Sequence, residues 1–91
     1  MREITIDSHP TQEELDALRI FNHPIWSKGV SEFQWTFNEL EVCYFLEGEA
    51  IVIPNGGEPI RINRGDLVTF PQGLSCSCKI EKDVKKHFRF G

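Results

Sequence analysis

The residues of this chain that could do chemistry are a carboxylate and three thiols in apolar stretches. Glu41 opens the run Glu-Val-Cys-Tyr-Phe-Leu, which contains Cys43, and Cys76 and Cys78 flank one serine later in the chain. A carboxylate that faces an apolar interior must find hydrogen-bond partners or be protonated. A free cysteine is most often a small buried hydrophobe, but it can bind a metal or, once a nearby cation ionises it, act as a nucleophile. Glu41 is therefore the leading functional candidate. Its alternative role is that of a framework residue, hydrogen-bonded to backbone or to the Trp35 indole.

Turn-forming residues frame Glu41 and Cys76 at fixed spacing. The first set has the spacing G-x5-W-x-F-x3-E-x6-G and comprises Gly29, Trp35, Phe37, Glu41 and Gly48. The second set has the spacing G-x5-P-x-G-x2-C and comprises Gly65, Pro71, Gly73 and Cys76. This spacing resembles the two motifs of the cupin family, G-x5-H-x-H-x3-E-x6-G and G-x5-P-x-G-x2-H. The resemblance covers residues 29–80 and implies an all-β fold, the cupin jelly-roll β-barrel or double-stranded β-helix.

The resemblance also implies a site, with altered chemistry. In most cupins the three histidines and the glutamate of these motifs hold one metal ion inside the barrel. Here the histidine positions are Trp35, Phe37 and Cys76, so only Glu41 remains of that ligand set. Indole and phenyl groups offer no lone pair to a metal, and stable sites generally use three or four ligands. No cofactor is therefore predicted, and a divalent metal held by Glu41 and Cys76 is the alternative.

The chain is most similar to one group of cupins. Its short length, the segment Pro24-Ile25-Trp26 and the stretch Glu41–Gly48 resemble the small single-domain, RmlC-like cupins grouped with the ureidoglycine aminohydrolase cupin domain, the DUF861 group. Many members of that group have no assigned reaction. The namesake enzyme carries two cupin domains and a metal, whereas this chain has one pair of motifs and lacks the histidines. The resemblance therefore implies the fold and not that enzyme's activity.

Strand periodicity, counted from the motif positions, predicts which side chains face the barrel interior. Successive residues of a strand point to opposite faces. The residues at the histidine and glutamate positions, and every second residue that follows Glu41 and Cys76, are therefore expected to face the interior. With Glu41 and Cys76 as catalytic candidates, this alternation predicts Trp35, Phe37, Cys43 and Cys78 as pocket residues. Trp26 precedes the first motif and is added to the pocket as a residue that closes the barrel mouth, with a position on the outside of the barrel as its alternative. The aromatic side chains either fill the barrel as core or form a wall against which a ligand packs. The two remaining cysteines are packing residues unless all three thiols and the carboxylate form a soft zinc or iron site.

Three functions remain open at this point. The first is a small-molecule-binding cupin or metal-independent enzyme of unknown reaction, in which Glu41 anchors a small polar metabolite between Trp35 and Phe37. The second is a metalloenzyme with an atypical site centred on Glu41 and Cys76. The third is a non-catalytic domain for assembly or regulation, in which these residues are core. A fold alone does not choose among them.

Composition places the chain among soluble globular proteins. It has 91 residues, of which 40% are hydrophobic and 26% charged, and a formal net charge of −4. We expect a single cupin domain over 1–91, with an N-terminal strand, a short helix and a lead-in over 1–28, the first motif over 29–48 and the second over 65–80. The negative charge argues against a nucleic-acid partner, and the apolar runs are too short to span a membrane. An odd number of cysteines and the lack of a signal-like apolar segment near Met1 indicate reduced thiols and a cytoplasmic location.

The elements that must position the candidate residues have clear sequence signals. Thr11-Gln12-Glu13-Glu14 is a capping-box pattern and predicts a short helix that ends before His23-Pro24, with Leu15, Leu18 and Ile20 on its apolar side. The alternation over Met1–Asp7 predicts a strand. Asn55-Gly56-Gly57, Arg64-Gly65-Asp66 and Pro71-Gln72-Gly73 predict turns between short strands.

Two surface features complete the predictions. The outward row Val42, Tyr44 and Leu46 is too apolar for open solvent, so a second sheet, the N-terminal segment or another subunit should cover it, and a homodimer is expected. The basic cluster near the end of the chain is interpreted as a solvated strand, and it comprises Lys79, Lys82, Lys85, Lys86 and Arg89. His9 and His23 are expected to be exposed, and alternation places His87 on the polar face.

Overall fold

A computed structural model of the protein describes residues 3–91. Seven strands form one antiparallel sheet in the order β1-β6-β4-β7-β2, with β3 also paired to β7 and β5 also paired to β4. The strands are β1 (Thr5–Asp7), β2 (Ile25–Lys28), β3 (Ser31–Thr36), β4 (Glu41–Pro54), β5 (Ile60–Asn63), β6 (Leu67–Phe70) and β7 (Ser75–Phe90). One helix, α1 (Gln12–Leu18), and a 3-10 turn (Ile20–Asn22) lie between β1 and β2. The all-β fold with a short N-terminal helix is confirmed.

The helix begins where the capping box predicts. The hydroxyl of Thr11 accepts a hydrogen bond from the backbone N–H of Glu14 at 3.1 Å, which satisfies one of the amides left open in the first turn. The helix ends at Arg19, which adopts the left-handed conformation with φ 53°. The 3-10 turn then buries Ile20 completely, and the chain leaves it before Pro24. The first two residues of the predicted N-terminal strand, Met1 and Arg2, lie outside the described residues.

The two long strands, β4 and β7, run side by side over most of their length. Strands β2 and β3 pair with β7, β5 and β6 pair with β4, and β1 pairs with β6. Their register shifts between Phe45 and Ala50, around Gly48. Gly48 has φ 97°, and a Cβ there would overlap the carbonyl oxygen of Asp83 and lie 2.7 Å from Val84 Cα. Gly48, the second glycine of the first motif, is therefore needed for the close approach of these strands.

All three predicted turns are present. The turn at Asn55–Gly57 joins β4 to β5, the turn at Arg64–Asp66 joins β5 to β6, and the turn at Pro71–Gly73 joins β6 to β7. Gly56, Gly65 and Gly73 have positive φ values of 74°, 89° and 88°. Gly57 does not, so one glycine of its turn provides the unusual backbone conformation.

The N-terminal segment covers part of the outward row of β4. The ring of Phe21 packs edge-on against Tyr44, with centroids 5.7 Å apart, and Val42 is 9% exposed. The sequence left three possibilities for covering this row: a second sheet, the N-terminal segment or another subunit. The structure shows the N-terminal segment in contact with it. No helix within residues 3–91 is long and apolar enough to cross a bilayer.

Candidate functional site

A cavity of about 240 Å³ opens from the barrel interior to the surface. Its mouth includes two half-exposed aromatic side chains, Trp35 (50% exposed) and Phe90 (54% exposed). Its deeper walls are mostly aliphatic and aromatic and include Phe33, Phe45, Ala50, Val52, Ile62, Phe70, Ile80, Val84 and Phe88. Among the residues that the structure describes, the only charged side chains lining the cavity are Glu41 and Lys86.

Glu41, Cys43 and Lys86 form a closed triangle of hydrogen bonds in the cavity wall. The Lys86 ammonium donates to Glu41 Oε2 at 2.9 Å and to Cys43 Sγ at 3.2 Å. The Cys43 thiol donates to the same Glu41 oxygen at 2.9 Å. The side chains of Lys86 and Glu41 are 11% and 9% exposed, so the ion pair is largely removed from water. A buried pair needs this kind of geometry because both charges lose hydration.

Lys86 reaches this position because of the alternation of β7. Val84, Lys86 and Phe88 share the face that lines the cavity, and Lys86 pairs with Phe45 on β4 and with Trp26 on β2. Its ammonium lies 5.0 Å from the Trp26 ring centroid and 5.6 Å from the centroid of Phe45. Rings at such distances attract a cation and partly replace the water that it has lost. The aromatic wall and the carboxylate thus hold the ammonium together.

The triangle favours a charged lysine and a neutral thiol. Burial lowers the pKa of Lys86, but its contacts with Cys43 and with the Glu41 carboxylate, including hydrogen bonds to both, raise that pKa by more, so it lies above its ordinary value. Burial raises the pKa of the Cys43 thiol, the Lys86 charge opposes that rise, and the Glu41 charge adds to it. The net result is a Cys43 pKa far above its ordinary value. Lys86 is therefore a hydrogen-bond donor with a fixed charge rather than a free amine nucleophile.

The structure divides the residues predicted for the site. Trp26, Trp35, Glu41 and Cys78 line the cavity. Cys43 contacts Glu41 and Lys86 from the core, where it is fully buried.

Phe37 and Cys76 belong to the core instead. The Phe37 ring stacks on Phe70 with centroids 4.5 Å apart, so it fills the barrel. Cys76 is 2% exposed and is not among the residues that line the cavity. Its thiol lies 3.7 Å from the Trp35 carbonyl oxygen and 3.8 Å from Cys78 Sγ. The thiol bonded to Glu41 is thus Cys43, not Cys76.

The three cysteines are free, and burial shapes the chemistry of the other two thiols as well. Burial raises the pKa of Cys76 above its ordinary value. Burial, with a contribution from the neighbouring Cys76, raises the pKa of Cys78 to about 12. Near neutral pH both thiols are therefore protonated, which is the state of packing residues rather than of activated nucleophiles.

The sequence interpretation of Lys86 on β7 is wrong, and His87 is more buried than a residue of a polar face would be. Lys86 is 8% exposed and belongs to the cavity, whereas Lys79, Lys82 and Lys85 of the same basic cluster are the exposed residues expected there. The signal for Lys86 was present, because it alternates with Val84 and Phe88, but the neighbouring lysines concealed it. His87 lies on the opposite face as predicted, but its side chain is 8% exposed because Phe21 packs edge-on against it. Its Nδ1–H donates to the His23 carbonyl oxygen at 2.8 Å.

The donor set does not fit the metal that cupins usually hold. Within residues 3–91, no three His, Cys, Asp or Glu side chains are grouped so that they could hold a metal ion. Glu41 is the one residue left of the usual cupin ligand set, and its Oε2 already accepts hydrogen bonds from the Lys86 ammonium and the Cys43 thiol. A second cation beside Lys86 would meet a positive charge where a metal site needs negative or neutral donors.

Comparison with known proteins identifies the family. The EutQ-like cupin domain matches residues 15–88, which is more than half of the chain. The chain belongs to the EutQ-like cupin domain family. A crystal structure of a DUF861 family protein from Thermotoga maritima superimposes on this EutQ-like domain with a TM-score of 0.94 and 44% sequence identity. That match covers 98% of this chain and 100% of the other. The resemblance to the DUF861 cupins and the jelly-roll fold that it implies are confirmed.

More distant matches agree on the fold. The Clostridium difficile EutQ protein has a TM-score of 0.64 and 20% identity over 70% of this chain and 50% of its own. A putative ethanolamine utilization protein Q from Salmonella typhimurium has a TM-score of 0.60 and 21% identity, and the match covers 96% of this chain and 68% of the other. No curated protein matches the chain.

Proposed function

We propose that this EutQ-like cupin domain binds a small molecule in its barrel cavity without a metal. The observation that carries the proposal is the placement of one buried ion pair, Lys86 and Glu41, in a cavity whose other walls are almost entirely apolar. Ligand pockets typically combine apolar walls with a few polar groups that fix orientation. The ligand's apolar body would pack against Trp26 and Trp35, and its polar head would meet the ion pair.

The size of the cavity supports a ligand with one ring or a short chain. A cavity of roughly 150 Å³ is enough to hold benzene. The cavity here measures about 240 Å³, which leaves room for one ring and a polar head. A core devoted only to stability would gain more from filling such a space with side chains, because cavities cost free energy.

The pocket offers its own reporters for a binding experiment. Both tryptophans of the chain line the cavity, so their emission should respond to an occupant. We would screen small aromatic and aliphatic amides, acids, ketones and amines by thermal shift and confirm hits by tryptophan emission and by two-dimensional NMR. Hits should shift the signals of Trp26 and Trp35 before those of the α1 helix.

A cavity-filling variant provides the control. Ala50 lines the cavity and is 6% exposed, so Ala50→Leu should fill space that a ligand needs. Ala17 is exposed on α1, and Ala17→Leu adds the same side chain away from the cavity. Binding that is lost in Ala50→Leu and kept in Ala17→Leu supports the proposal. A ligand bound equally by both variants, or no binding to the wild-type protein by any probe, contradicts it.

The metal-free part of the proposal has a separate test. Protein purified without a histidine tag and dialysed should hold well under one equivalent of zinc, iron or manganese by elemental analysis. Bound metal near one equivalent that disappears in Glu41→Gln would instead support the metalloenzyme hypothesis. Glu47→Gln is the matched control because Glu47 is an exposed glutamate of the same strand, paired with Lys85.

A further inference from the structure

Within residues 3–91, the ion pair in the cavity leaves one donor and one acceptor without a hydrogen-bond partner. An ammonium has three N–H donors, and those of Lys86 that bond protein atoms go to Glu41 Oε2 and Cys43 Sγ. The third N–H has no hydrogen-bond acceptor within residues 3–91, although the ammonium lies 5.0 Å from the ring centroid of Trp26 and 5.6 Å from those of Phe45 and Phe70. Glu41 Oε1 likewise accepts no hydrogen bond from that part of the chain, since both bonds to this carboxylate end on Oε2.

Both groups belong to side chains that line the cavity. Within the described residues, no fully buried side-chain nitrogen or oxygen lacks a hydrogen-bond partner. Glu41 Oε1 is therefore at least partly accessible, and Glu41 and Lys86 both line the cavity. A ligand head that enters the cavity therefore comes beside the Lys86 ammonium and the Glu41 carboxylate.

The charge of the cavity selects among possible heads. The lining charges are one ammonium and one carboxylate, which sum to zero, and Cys78 adds none near neutral pH because its pKa is about 12. An anionic head would add a negative charge close to Glu41, and a cationic head would add a positive charge close to Lys86. Neither charge would be balanced in an apolar pocket, and burying an unbalanced charge is costly.

We propose that the cavity selects neutral molecules whose head carries a hydrogen-bond acceptor and a donor on neighbouring atoms, as a carboxamide does. The amide oxygen would accept from Lys86, and the amide N–H would donate to Glu41 Oε1. Both unused groups are satisfied in this arrangement and the sum of charges stays zero. This inference rests on the proposed function, because it specifies the ligand class of the same pocket.

Four probes with the same ring test the inference on the full chain. Benzamide has acceptor and donor and is neutral, acetophenone has only the acceptor, benzoate is an anion, and benzylamine is a cation. Affinities come from NMR titrations followed at the tryptophan indole signals. We expect benzamide to bind at least about tenfold more tightly than each of the others, which is the effect of about 1.4 kcal/mol.

A charge change in the pocket should reverse the ranking. Glu41→Gln keeps the shape of the side chain but leaves Lys86 unbalanced, so the cavity gains one positive charge. Benzoate should then bind more tightly than benzamide. Glu47→Gln removes a charge from an exposed glutamate of the same strand and should leave the wild-type ranking unchanged.

The outcomes separate the two proposals. Binding of benzoate or benzylamine as tight as that of benzamide in the wild-type protein overturns the selection of neutral heads and leaves small-molecule binding intact. Equal binding of acetophenone and benzamide overturns the role of Glu41 as the acceptor. Absence of cavity shifts with all four probes at millimolar concentration, together with a failed wider screen, overturns the proposed function and this inference with it.

Discussion

Lys86 Nζ lies 2.9 Å from Glu41 Oε2, and neither side chain is more than 11% exposed. The other ion pairs of the described residues include at least one partner with more than 45% of its side chain exposed, and exposed pairs contribute little to stability. The buried pair is different because removal of one partner leaves a charge without hydration or compensation. The pair is therefore the polar centre of the cavity, and the stability of the barrel depends on both partners being present.

The first prediction concerns the cost of breaking this pair. Lys86→Met should lower the free energy of unfolding by about 3–5 kcal/mol, because Glu41 would remain buried without its partner. Urea denaturation measures the change. Lys85→Met is the matched control, since Lys85 is exposed on the same strand, and it should change stability by no more than about 0.5 kcal/mol.

A double variant shows whether the cost comes from the unpaired carboxylate. Glu41→Gln alone should keep the fold, because the amide oxygen still accepts from Lys86. Combining it with Lys86→Met should cost clearly less than the sum of the two single changes. Strictly additive costs would contradict the coupling inferred from the 2.9 Å contact.

The second prediction is a loss of stability at alkaline pH. The pKa values of all three thiols and of Lys86 are raised in the folded protein, so these groups keep protons that the unfolded chain releases. The unfolded state then binds fewer protons, and the free energy of unfolding falls as pH rises. The fall should begin near the ordinary thiol pKa of 9.0 and continue toward pH 12. Denaturation series from pH 7 to pH 11 measure it.

A cysteine variant isolates the thiol contribution to this slope. Cys78→Ala removes a group whose pKa is raised to about 12, so the stability of this variant should decline less steeply with pH. A wild-type profile that is flat above pH 9, or that rises, would refute the assignment of neutral thiols.

The third prediction concerns the reactivity of Cys76. Its thiol is buried and its pKa is raised, so iodoacetamide at neutral pH should modify it slowly in the folded protein and quickly in urea. Mass spectrometry of peptides gives the two rates. Cys76→Ser should cost stability, because it places a hydroxyl in the core, and should leave ligand affinity nearly unchanged. Fast labelling of the folded protein would return Cys76 to the list of candidate nucleophiles.

The fourth prediction compares two glycines, one needed for the close approach of two strands and one needed only for its backbone conformation. Gly48 and Gly65 have similar φ values of 97° and 89°, but a Cβ at Gly48 would collide with Asp83, whereas one at Gly65 has nothing within 4 Å. Gly65→Ala should cost about 1–2 kcal/mol for the left-handed conformation. Gly48→Ala should cost clearly more, because β4 and β7 must also separate. Equal costs would mean that the strands adjust freely at this point.

The fifth prediction is that the protein is a homodimer. The N-terminal segment partly covers the outward row of β4, so that row gives less reason to expect a dimer. The prediction now rests on exposed apolar side chains such as Ile25 and Val30, which are 50% and 67% exposed. Light scattering at high micromolar concentration should give twice the mass of one chain. A monomer mass under these conditions would count against the dimer.

Much of the fold was predictable because its signals are local. A capping residue, a proline or a glycine acts on its own backbone and its nearest neighbours, so Thr11, Gly56 and Gly65 could be placed from sequence alone. The spacing of the motif residues indicated the cupin family and its barrel, because glycines at fixed intervals mark turns that the barrel requires. Glu41 was identified as the polar residue of the interior for the same reason.

The sequence by itself determined the cupin barrel, its helix and turns, and the interior position of Glu41. Only the tertiary structure decided what Glu41 bonds to. Lys86 is 45 residues away along the chain and joins Glu41 through the pairing of β4 with β7, which keeps one register from Glu41 to Phe45. Cys43 rather than Cys76 completes the site because side-chain directions across two strands, not positions in a motif, determine which atoms come within hydrogen-bond distance.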